Sequence, residues 1–161
     1  MEMREEQLFD FGWKFHAGDI EIPLPTTKMP LYHHAKTERA QWGPASRNYN
    51  ENSQNCTDSW ETVDLPHDYI IHQTPNPENN NTLGYFQYHN AWYLNRFKLD
   101  DNDRDKRITI LFEGVAVHAT VYVNGCLMAR NFCGYTSFEV DITDVVRFQE
   151  DNVVAVYVDA S

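Results

Sequence analysis

Hydrophobic and polar residues alternate most regularly in residues 111–143, and this stretch guides the interpretation of the rest of the chain. After Ala116 every second residue is apolar. The apolar set is Val117, Ala119, Val121 and Val123, and the residues between them are His118, Thr120 and Tyr122. A period of two with one apolar side is typical of a half-buried β-strand. We therefore expect a strand that ends at Val123 and turns its apolar set toward a core.

The residues after this strand predict two further strands joined by tight turns. Asn124-Gly125 tolerates positive φ at both positions, which is the strongest short-range hairpin signal, so the chain should return through residues 126–130. A second turn is expected at Cys133-Gly134-Tyr135. Alternation then resumes with the apolar residues Phe138, Val140 and Ile142. We interpret the whole stretch as the spine of an antiparallel β-sandwich.

Five more segments have the composition of strands. They are residues 8–15, 60–65, 92–99, 107–112 and 153–158. The first is aromatic at every second position, and a strand would place these four rings on one face: Phe9, Phe11, Trp13 and Phe15. The last is β-branched and apolar on both faces, which predicts a place in the middle of a sheet or beneath another layer.

Loops and turns are predicted between these strands. Residues 37–59 are polar and rich in turn formers, and should form a long surface excursion. Residues 75–82 predict a loop, and residues 100–106 predict a solvated charged turn without the glycine and distal glutamate of a calcium-binding loop. Residues 143–146 predict a short helical turn with Thr143 as its N-cap. No long segment has helical periodicity, so we predict an all-β fold, either a sandwich or a barrel.

Composition and charge restrict the functional classes without changing the predicted fold. At 161 residues the chain has the length of one domain, and its 42% hydrophobic and 14% aromatic residues argue against disorder. A formal net charge of −11 disfavours nucleic acid as a partner, because an acidic surface repels phosphate. No run approaches the ~18 apolar residues needed to span a membrane, and residues 1–13 lack the apolar core of a signal peptide. We therefore expect no nucleic-acid or membrane partner, and the compartment stays open.

The cysteines and histidines give no pattern of a metal or cofactor site. The three cysteines, Cys56, Cys126 and Cys133, match no zinc-binding spacing, and their odd number leaves at least one thiol unpaired. Cys126 and Cys133 flank a predicted strand return and could form a disulfide, but we favour free buried thiols. His33-His34 is expected to be solvated. We predict neither a metal nor a cofactor.

His67-Asp68 invites a catalytic interpretation, because a histidine beside a carboxylate can act as a base or a ligand. Adjacent residues of an extended chain point to opposite sides, which argues against a dyad. We therefore expect both side chains to satisfy amides of the turn that follows Pro66. The sequence also lacks the GxSxG, HExxH and P-loop motifs of other enzyme classes.

Several motifs, taken together and in order, resemble the N-terminal β-sandwich of glycoside hydrolase family 2. They are FGWKF, DSWETVDLPHDY, AWYLNRF, FEGV, VYVNG, GYTSFEVDIT and DNVVAVYV, which together span nearly the whole chain. DLPHDY after a DSW turn is most similar to the β-galactosidase-like branch. The resemblance narrows the predicted fold to an antiparallel β-sandwich of the jelly-roll type, like a galactose-binding domain.

The resemblance implies that residues 1–161 form a single non-catalytic domain of a longer enzyme. Members of the family hydrolyse terminal β-glycosides with retention, using two glutamates of a (β/α)8 barrel that follows the sandwich. No motif of this chain matches those glutamates, so we predict no catalytic residue here. The WYPGSGIYR-like stretch that completes the family's sandwich is also not found. The implied partners are the enzyme's own catalytic barrel and, through the parent enzyme, further copies of it.

In some β-galactosidases of the family, a loop before the AWY-type strand reaches the active site and contributes an asparagine. The corresponding stretch here is residues 79–90, and its candidate substrate-binding residues are Asn80, Asn81, His89 and Asn90. A solvated loop is the alternative, because surface loops are commonly rich in asparagine. A free-standing carbohydrate-binding module and a purely structural interaction domain are the alternative functions. The sugar (galactoside, glucuronide or mannoside) stays open, because barrel residues select it.

Overall fold

The structure is a computed structural model that describes residues 4–20, 43–52 and 59–160. These residues form eight β-strands in two sheets, together with three short 3₁₀ helices. The strands are β1 (Trp13–Ala17), β2 (Glu61–Val63), β3 (Ala91–Lys98), β4 (Thr109–Phe112), β5 (His118–Val123), β6 (Cys126–Asn131), β7 (Phe138–Asp141) and β8 (Asp151–Asp159). The 3₁₀ helices are Tyr69–His72, Asn81–Leu83 and Asp101–Asp103.

Six strands form the large sheet in the order β2-β1-β3-β8-β5-β6, and β4 and β7 form the small sheet. Every strand pair in both sheets is antiparallel. β8 lies in the interior of the large sheet, hydrogen-bonded to β3 on one side and to β5 on the other. The predicted antiparallel all-β sandwich is therefore confirmed, as is the interior position of residues 153–158.

The main core lies between the two sheets. Alternate residues of β8 and β5 enter it from the large sheet, and Val140 and Ile142 enter it from β7 and the residue beyond. The contributions of the large sheet are Trp13, Ala119, Val121, Val123, Val154, Val156 and Val158. Burying one such aliphatic side chain stabilises the fold by about 1.5–3 kcal/mol. The predicted alternation of β5 is therefore confirmed from Ala119 onward, because Ala119, Val121 and Val123 all face this core.

A second core covers the opposite face of the large sheet. The buried residues that β3, β5 and β8 turn to this side are Trp92, Leu94, Tyr122, Val153 and Ala155. Ala45 packs on them from residues 43–51, and the Arg96 Nη1 to Glu51 Oε1 ion pair, at 2.5 Å, fastens this segment to β3. β8 is therefore buried on both faces, which is the reason for its continuous apolar sequence.

The first strand is shorter than the predicted residues 8–15. β1 begins at Trp13, directly after Gly12, which has a φ of +71° and donates its N–H to Asp64 Oδ1 at 2.9 Å. This turn breaks the alternation, so Phe11 is 66% exposed. Phe9 still reaches the core, where its ring centroid lies 5.3 Å from that of Trp13. The prediction that four rings share one strand face is therefore wrong, because only Trp13 and Phe15 do so within β1.

Two further details differ from the predicted pattern. β5 begins at His118, so Val117 lies before the strand and is 41% exposed rather than facing the core. At residues 143–146 there is a turn in which the amides of Val145 and Val146 both donate to the Ile142 carbonyl. The Thr143 hydroxyl does not act as a helix cap. It accepts from the Ile108 amide at 2.9 Å and so joins this turn to the segment before β4.

Some predicted features are confirmed and others lie outside the described residues. The Asn124-Gly125 hairpin joins β5 to β6, and residues 100–106 form a charged turn around the short helix Asp101–Asp103. His33-His34 and Cys56 lie outside the described residues, as does most of the predicted excursion at residues 37–59. Its described part, residues 43–52, consists of turns and bends.

Two asparagines connect the β5–β6 hairpin to the start of β8. Asn152 has no exposed surface, and its Oδ1 accepts from Asn124 Nδ2 at 2.8 Å and from the Arg147 amide at 2.7 Å. Asn152 Nδ2 donates to the Arg147 carbonyl at 2.7 Å, and Asn124 Oδ1 accepts from the Val153 amide at 3.0 Å. This buried network satisfies backbone groups that no strand partner reaches.

We predict that Asn152→Ala lowers the free energy of unfolding by about 2–4 kcal/mol, because it removes the partner of the Arg147 amide and carbonyl and of one Asn124 Nδ2 hydrogen. Urea denaturation followed by tryptophan fluorescence measures the change. Asn102→Ala, in the exposed charged turn, is the matched control and should change stability by less than about 0.5 kcal/mol. Equal effects of the two substitutions would contradict the assigned role of Asn152.

Candidate functional site

One end of the large sheet brings together the loops that carry the candidate residues. Ala91, the first residue of β3, pairs with Val158 near the end of β8. His118, the first residue of β5, pairs with Asp159, the last residue of β8. We call this end of the sandwich the β8 end. Residues 73–90 lead into β3 here, so the loop with all four candidate substrate-binding residues emerges from the β8 end.

Residues 73–90 form a compact loop that is held by its own hydrogen bonds. At its base Gln73 makes two of them to Gln87: its Oε1 accepts from the Gln87 amide at 3.0 Å, and its Nε2 donates to the Gln87 carbonyl at 2.9 Å. Further out, the Tyr85 carbonyl accepts from the Asn76 amide at 2.9 Å and from Asn79 Nδ2 at 3.1 Å. The loop is therefore preorganised without a ligand.

The outer part of the loop has an apolar hollow. Pro75, Pro77 and Tyr85 line this shallow cavity of about 340 Å³. Tyr85 is partly exposed and has a φ of +64°, while Gly84 before it has a φ of +66°. Two consecutive residues of positive φ reverse the chain after the short helix Asn81–Leu83 and turn the Tyr85 ring toward the prolines.

An aromatic cluster fastens this loop to the large sheet. The Phe15 ring of β1 contacts the rings of Tyr93 at 5.1 Å and His67 at 4.6 Å, measured between centroids. The Tyr69 ring stacks on that of His89 at 4.4 Å, and its hydroxyl donates to the His89 carbonyl at 3.1 Å. The conformation of the loop is thus tied to β1 and β3 through stacked rings.

Burial favours the uncharged forms of His67, Tyr69 and Tyr93 in this cluster. Burial, with a smaller effect of the nearby His72, lowers the pKa of His67 despite the opposing carboxylates of Asp68 and Glu61. Burial also raises the pKa of Tyr93 far above its usual value, and it raises the pKa of Tyr69. His67 Nδ1 lies 2.9 Å from the Tyr93 hydroxyl, so the two groups form a neutral hydrogen-bonded pair.

His67 and Asp68 have separate structural roles. Asp68 Oδ1 accepts from the Ile70 amide at 2.9 Å and so caps the short helix Tyr69–His72, as expected of a side chain that satisfies a turn amide. The same expectation is wrong for His67, which binds the Tyr93 hydroxyl instead. The reason is that Tyr93 approaches from β3, a partner that no local pattern around residue 67 indicates.

Asn80 and Asn81 lie at the outer part of the loop and differ in what their side chains do. Asn80 Oδ1 accepts from the Thr82 amide at 2.9 Å and from the Thr82 hydroxyl at 2.7 Å, so it caps the helix Asn81–Leu83. The Asn81 side chain is exposed and makes no hydrogen bond to the part of the chain that the structure describes. Of these two candidates, Asn81 therefore retains its donors and acceptor for a ligand.

His89 and Asn90 lie at the base of the loop and face the sheet. His89 Nδ1 lies 2.8 Å from the Asn90 carbonyl, and its ring is stacked on Tyr69. Asn90 Nδ2 donates to Asp19 Oδ2 at 3.1 Å and so connects β3 to the residues after β1. The structure thus brings His89 and Asn90 together as neighbours, while Asn80 and Asn81 lie apart from them. Substrate binding by any of the four stays a prediction.

The described residues contain no cluster of three side chains of the types that commonly ligate metals. In residues 4–20, 43–52 and 59–160, no helix has the length and apolar character that crossing a membrane requires. Both observations concern the described ranges only.

Cys126 and Cys133 are free and both are exposed. Cys126 is the first residue of β6 and Cys133 lies two residues beyond its end. An extended strand of six residues spans roughly 20 Å, whereas disulfide-bonded Cα atoms lie ~4.4–6.8 Å apart. The favoured interpretation was right that these thiols are free but wrong that they are buried. Cys133 is exposed because the turn after β6 carries it out of the sheet.

The comparisons with known proteins agree with this architecture. A family model described as "Glycosyl hydrolase 2 galactose-binding domain-like" matches residues 37–161. The chain belongs to glycoside hydrolase family 2. It is 30% identical over 158 residues to β-galactosidase BoGH2A of Bacteroides ovatus, which covers 97% of this chain and 15% of that protein. It is also 42% identical over 71 residues to a β-galactosidase of Thermoanaerobacter pseudethanolicus, covering 44% of this chain and 10% of that protein.

Two solved structures contain the same fold. A β-glycosidase from Bacteroides vulgatus superposes with a TM-score of 0.72 at 30% identity, over 95% of this chain and 17% of that one. A family 2 member from Bacteroides cellulosilyticus gives a TM-score of 0.69 at 30% identity, over 96% of this chain and 18% of that one. The chain thus spans less than a fifth of the length of these relatives and corresponds to their N-terminal, non-catalytic domain.

Sequence reasoning missed the contacts that hold the loop in place. The Gln73–Gln87 pair and the Tyr69–His89 stack join residues 14 and 20 positions apart. Neither contact can be predicted from the short-range alternation of hydrophobic and polar residues. The available signal was the aromatic content of residues 85–93, because rings in a polar loop indicate that part of it packs against the sheet.

We predict that His67 titrates below its ordinary value of 6.5 in the folded protein. The unfolded chain then binds the proton more tightly, so protonation favours unfolding. The contribution of His67 to stability is fully present above about pH 6.5 and is lost as the pH falls through the folded pKa. The imidazole proton shifts in a pH titration by NMR measure the pKa directly.

Tyr93→Phe is the control for this titration. It removes the hydroxyl that pairs with His67 but retains the ring, so burial, the main cause of the lowered pKa, is unchanged. The His67 pKa should therefore stay below 6.5 in this variant. A pKa at or above 6.5 in the unsubstituted protein would contradict the burial of the cluster.

We also predict that Cys133 reacts readily with iodoacetamide at neutral pH. Hydrogen bonds from the Thr136 hydroxyl and from the amides of Tyr135 and Thr136 lower the pKa of the Cys133 thiol and so increase its thiolate fraction. Peptide mass spectrometry after timed alkylation measures the rate. Thr136→Val should slow the labelling of Cys133 and leave that of Cys126 unchanged. A disulfide between these cysteines, or no effect of Thr136→Val, would contradict the prediction.

Proposed function

We propose that this chain is the architectural N-terminal domain of a β-galactosidase-like retaining glycosidase, in which it packs on the catalytic barrel and shapes one wall of the substrate cleft. One observation carries the proposal: 97% of the chain aligns with only 15% of β-galactosidase BoGH2A. A second β-galactosidase among the relatives shares 42% identity over 71 residues. The enzyme's reaction would be hydrolysis of a terminal β-glycoside.

The pairing of two acidic residues, Glu51 and Asp141, suits a non-catalytic role. A retaining glycosidase needs two carboxyl groups ~5–5.5 Å apart that can act on one bond. The buried Glu51 is paired with Arg96, and Asp141 is held by Thr143 and Arg107 so that its pKa falls to about 2. These groups are engaged in structural pairs, which suits a domain that leaves the chemistry to another part of the enzyme.

The loop at residues 73–90 supports a place beside the substrate. It projects from the β8 end in a fixed conformation, which lowers the entropic cost of binding. The exposed amide of Asn81 offers donors and an acceptor for sugar hydroxyls, and the Tyr85 ring offers a face for sugar C–H groups. We assign Asn81 as the leading candidate for substrate contact, with His89 and Asn90 supporting the base of the loop and Asn80 capping its helix.

A free-standing carbohydrate-binding module is the second candidate. The apolar hollow of Pro75, Pro77 and Tyr85 favours it, because aromatic rings beside polar amides are the common elements of sugar-binding surfaces. In that case the chain would bind sugar without a barrel. The two candidates therefore differ in whether the chain alone retains a sugar.

Calorimetric titration of the 161-residue chain with galactose and methyl β-galactoside distinguishes them. We predict no binding at micromolar strength and no hydrolysis of a chromogenic β-galactoside, since half of the binding site and both catalytic carboxylates would belong to the barrel. A cooperative urea transition of the same sample shows that the chain is folded.

Two results would overturn the architectural role. One is micromolar galactoside binding that Tyr85→Ala abolishes and that Leu127→Ala, on the exposed strand β6, leaves intact. The other is measurable turnover that is lost when an acidic residue of this chain is replaced. The first result would establish the carbohydrate-binding module instead.

A further inference from the structure

Residues 43–52 lie on the large sheet without joining it, and we call this segment the strap. Its backbone hydrogen bonds among the described residues are internal. The Ser46 amide donates to the Gly43 carbonyl at 2.8 Å, and the Tyr49 amide donates to the Ser46 carbonyl at 3.1 Å. Within residues 4–20, 43–52 and 59–160, no strand shares a backbone-to-backbone hydrogen bond with it. Contacts that involve side chains therefore fasten the strap to the sheet.

The strap covers part of the second core but contributes little apolar surface to it. Ala45, which is buried, and Tyr49, which is partly buried, pack on this core, and Pro44 is buried as well. The strap sequence, GPASRNYNEN, has no large aliphatic residue. Its burial therefore resists local opening less than the burial of a core strand does.

The strongest polar contact of the strap is the ion pair between its Glu51 and Arg96 of β3. The Glu51 side chain is only 2% exposed, its Oε1 lies 2.5 Å from Arg96 Nη1, and Arg96 Nη2 donates to the Tyr49 carbonyl at 2.8 Å. Burial raises the pKa of Glu51, but the hydrogen bond from Arg96 and nearby positive charge outweigh it, so the pKa lies below its usual value. The other pair, Arg47 with Glu150, is largely exposed, and solvent screens it.

A single side chain of the sheet thus holds the buried carboxylate. Glu51 Oε1 also accepts from Asn52 Nδ2 at 3.1 Å, within the strap, whereas Oε2 makes no hydrogen bond to the part of the chain that the structure describes. A buried carboxylate that loses its cationic partner is strongly destabilised, and it regains hydration when it reaches water. Breaking the contact with Arg96 therefore favours an open strap over a closed one.

We propose that the strap is a cover latched by Arg96 on Glu51, which opens as a unit while the two sheets stay folded. The open state exposes part of the second core, to which the aromatic residues Trp92 and Tyr122 belong, and leaves the main core closed. Opening of this kind needs less free energy than unfolding of the whole domain. The latch thereby controls the exposure of an aromatic face. The proposal concerns this domain alone and does not depend on the proposed function.

Thiol labelling measures the opening directly. Ala45→Cys places a thiol on the underside of the strap, and Ala119→Cys places one in the main core. Each is made in a 161-residue chain whose three native cysteines are replaced by serine. Where reclosing is faster than alkylation by iodoacetamide, the labelling rate follows the population of open molecules. We expect labelling at position 45 to be at least about tenfold faster than at position 119 and to depend less on urea.

Three substitutions distinguish the latch from general stability. Arg96→Met should speed labelling at position 45 at least about tenfold, because it leaves the Glu51 carboxylate buried without a cation. Glu150→Gln, which breaks the exposed pair with Arg47, should change this rate less than about threefold. Val140→Ala weakens the main core, so it should speed labelling at position 119 and leave position 45 unchanged.

Hydrogen exchange of the Tyr49 amide repeats the comparison without a new thiol beneath the strap. It should become faster in Arg96→Met and stay the same in Val140→Ala. Equal labelling rates with equal urea dependence at positions 45 and 119 would show that the strap opens only when the whole domain unfolds. Unchanged labelling and exchange in Arg96→Met would show that Arg96 is not the latch. Either result overturns the proposal.

Discussion

Burial of β8 on both faces is the constraint on which the rest of this structure depends. Its odd-numbered and even-numbered residues enter different cores, with Val154 and Val156 between the sheets and Val153 and Ala155 beneath residues 43–51. A strand of this kind is stable only when both faces are covered. The small sheet covers one face, and Ile20 and residues 43–51 cover the other. The small sheet and residues 43–51 thus each bury one face of the same apolar strand.

The same strand determines where functional loops can lie. β3 and β5 flank β8 and run opposite to it, so both begin where β8 ends. The segments that enter these strands must therefore emerge together. One is the ordered loop at residues 73–90, and the other is the segment packed against Gly134. Both segments therefore lie at the end of the large sheet where the chain leaves β8.

The sequence predicted those parts of the fold whose pattern is local. The alternation from Ala119 to Val123 and the Asn124-Gly125 turn determine a strand and a hairpin by themselves, and both are present. The aromatic alternation near the N-terminus failed because Gly12 turns the backbone, and periodicity cannot distinguish one strand from two segments that reach the same core. The His67–Tyr93 contact joins elements 26 residues apart, which only the tertiary fold determines.

The asparagines of the loop show the same limit at the level of function. The sequence alone does not distinguish Asn80 from Asn81. In the structure, the side-chain oxygen of Asn80 caps a helix, whereas the side-chain amide of Asn81 is exposed. An amide that already holds the backbone cannot bind a ligand without releasing the structure that it stabilises. Capping by Asn80 is therefore what presents Asn81. In this loop the capping residue and the proposed binding residue are neighbours, and the cap made by the first holds the turn on which the second is exposed.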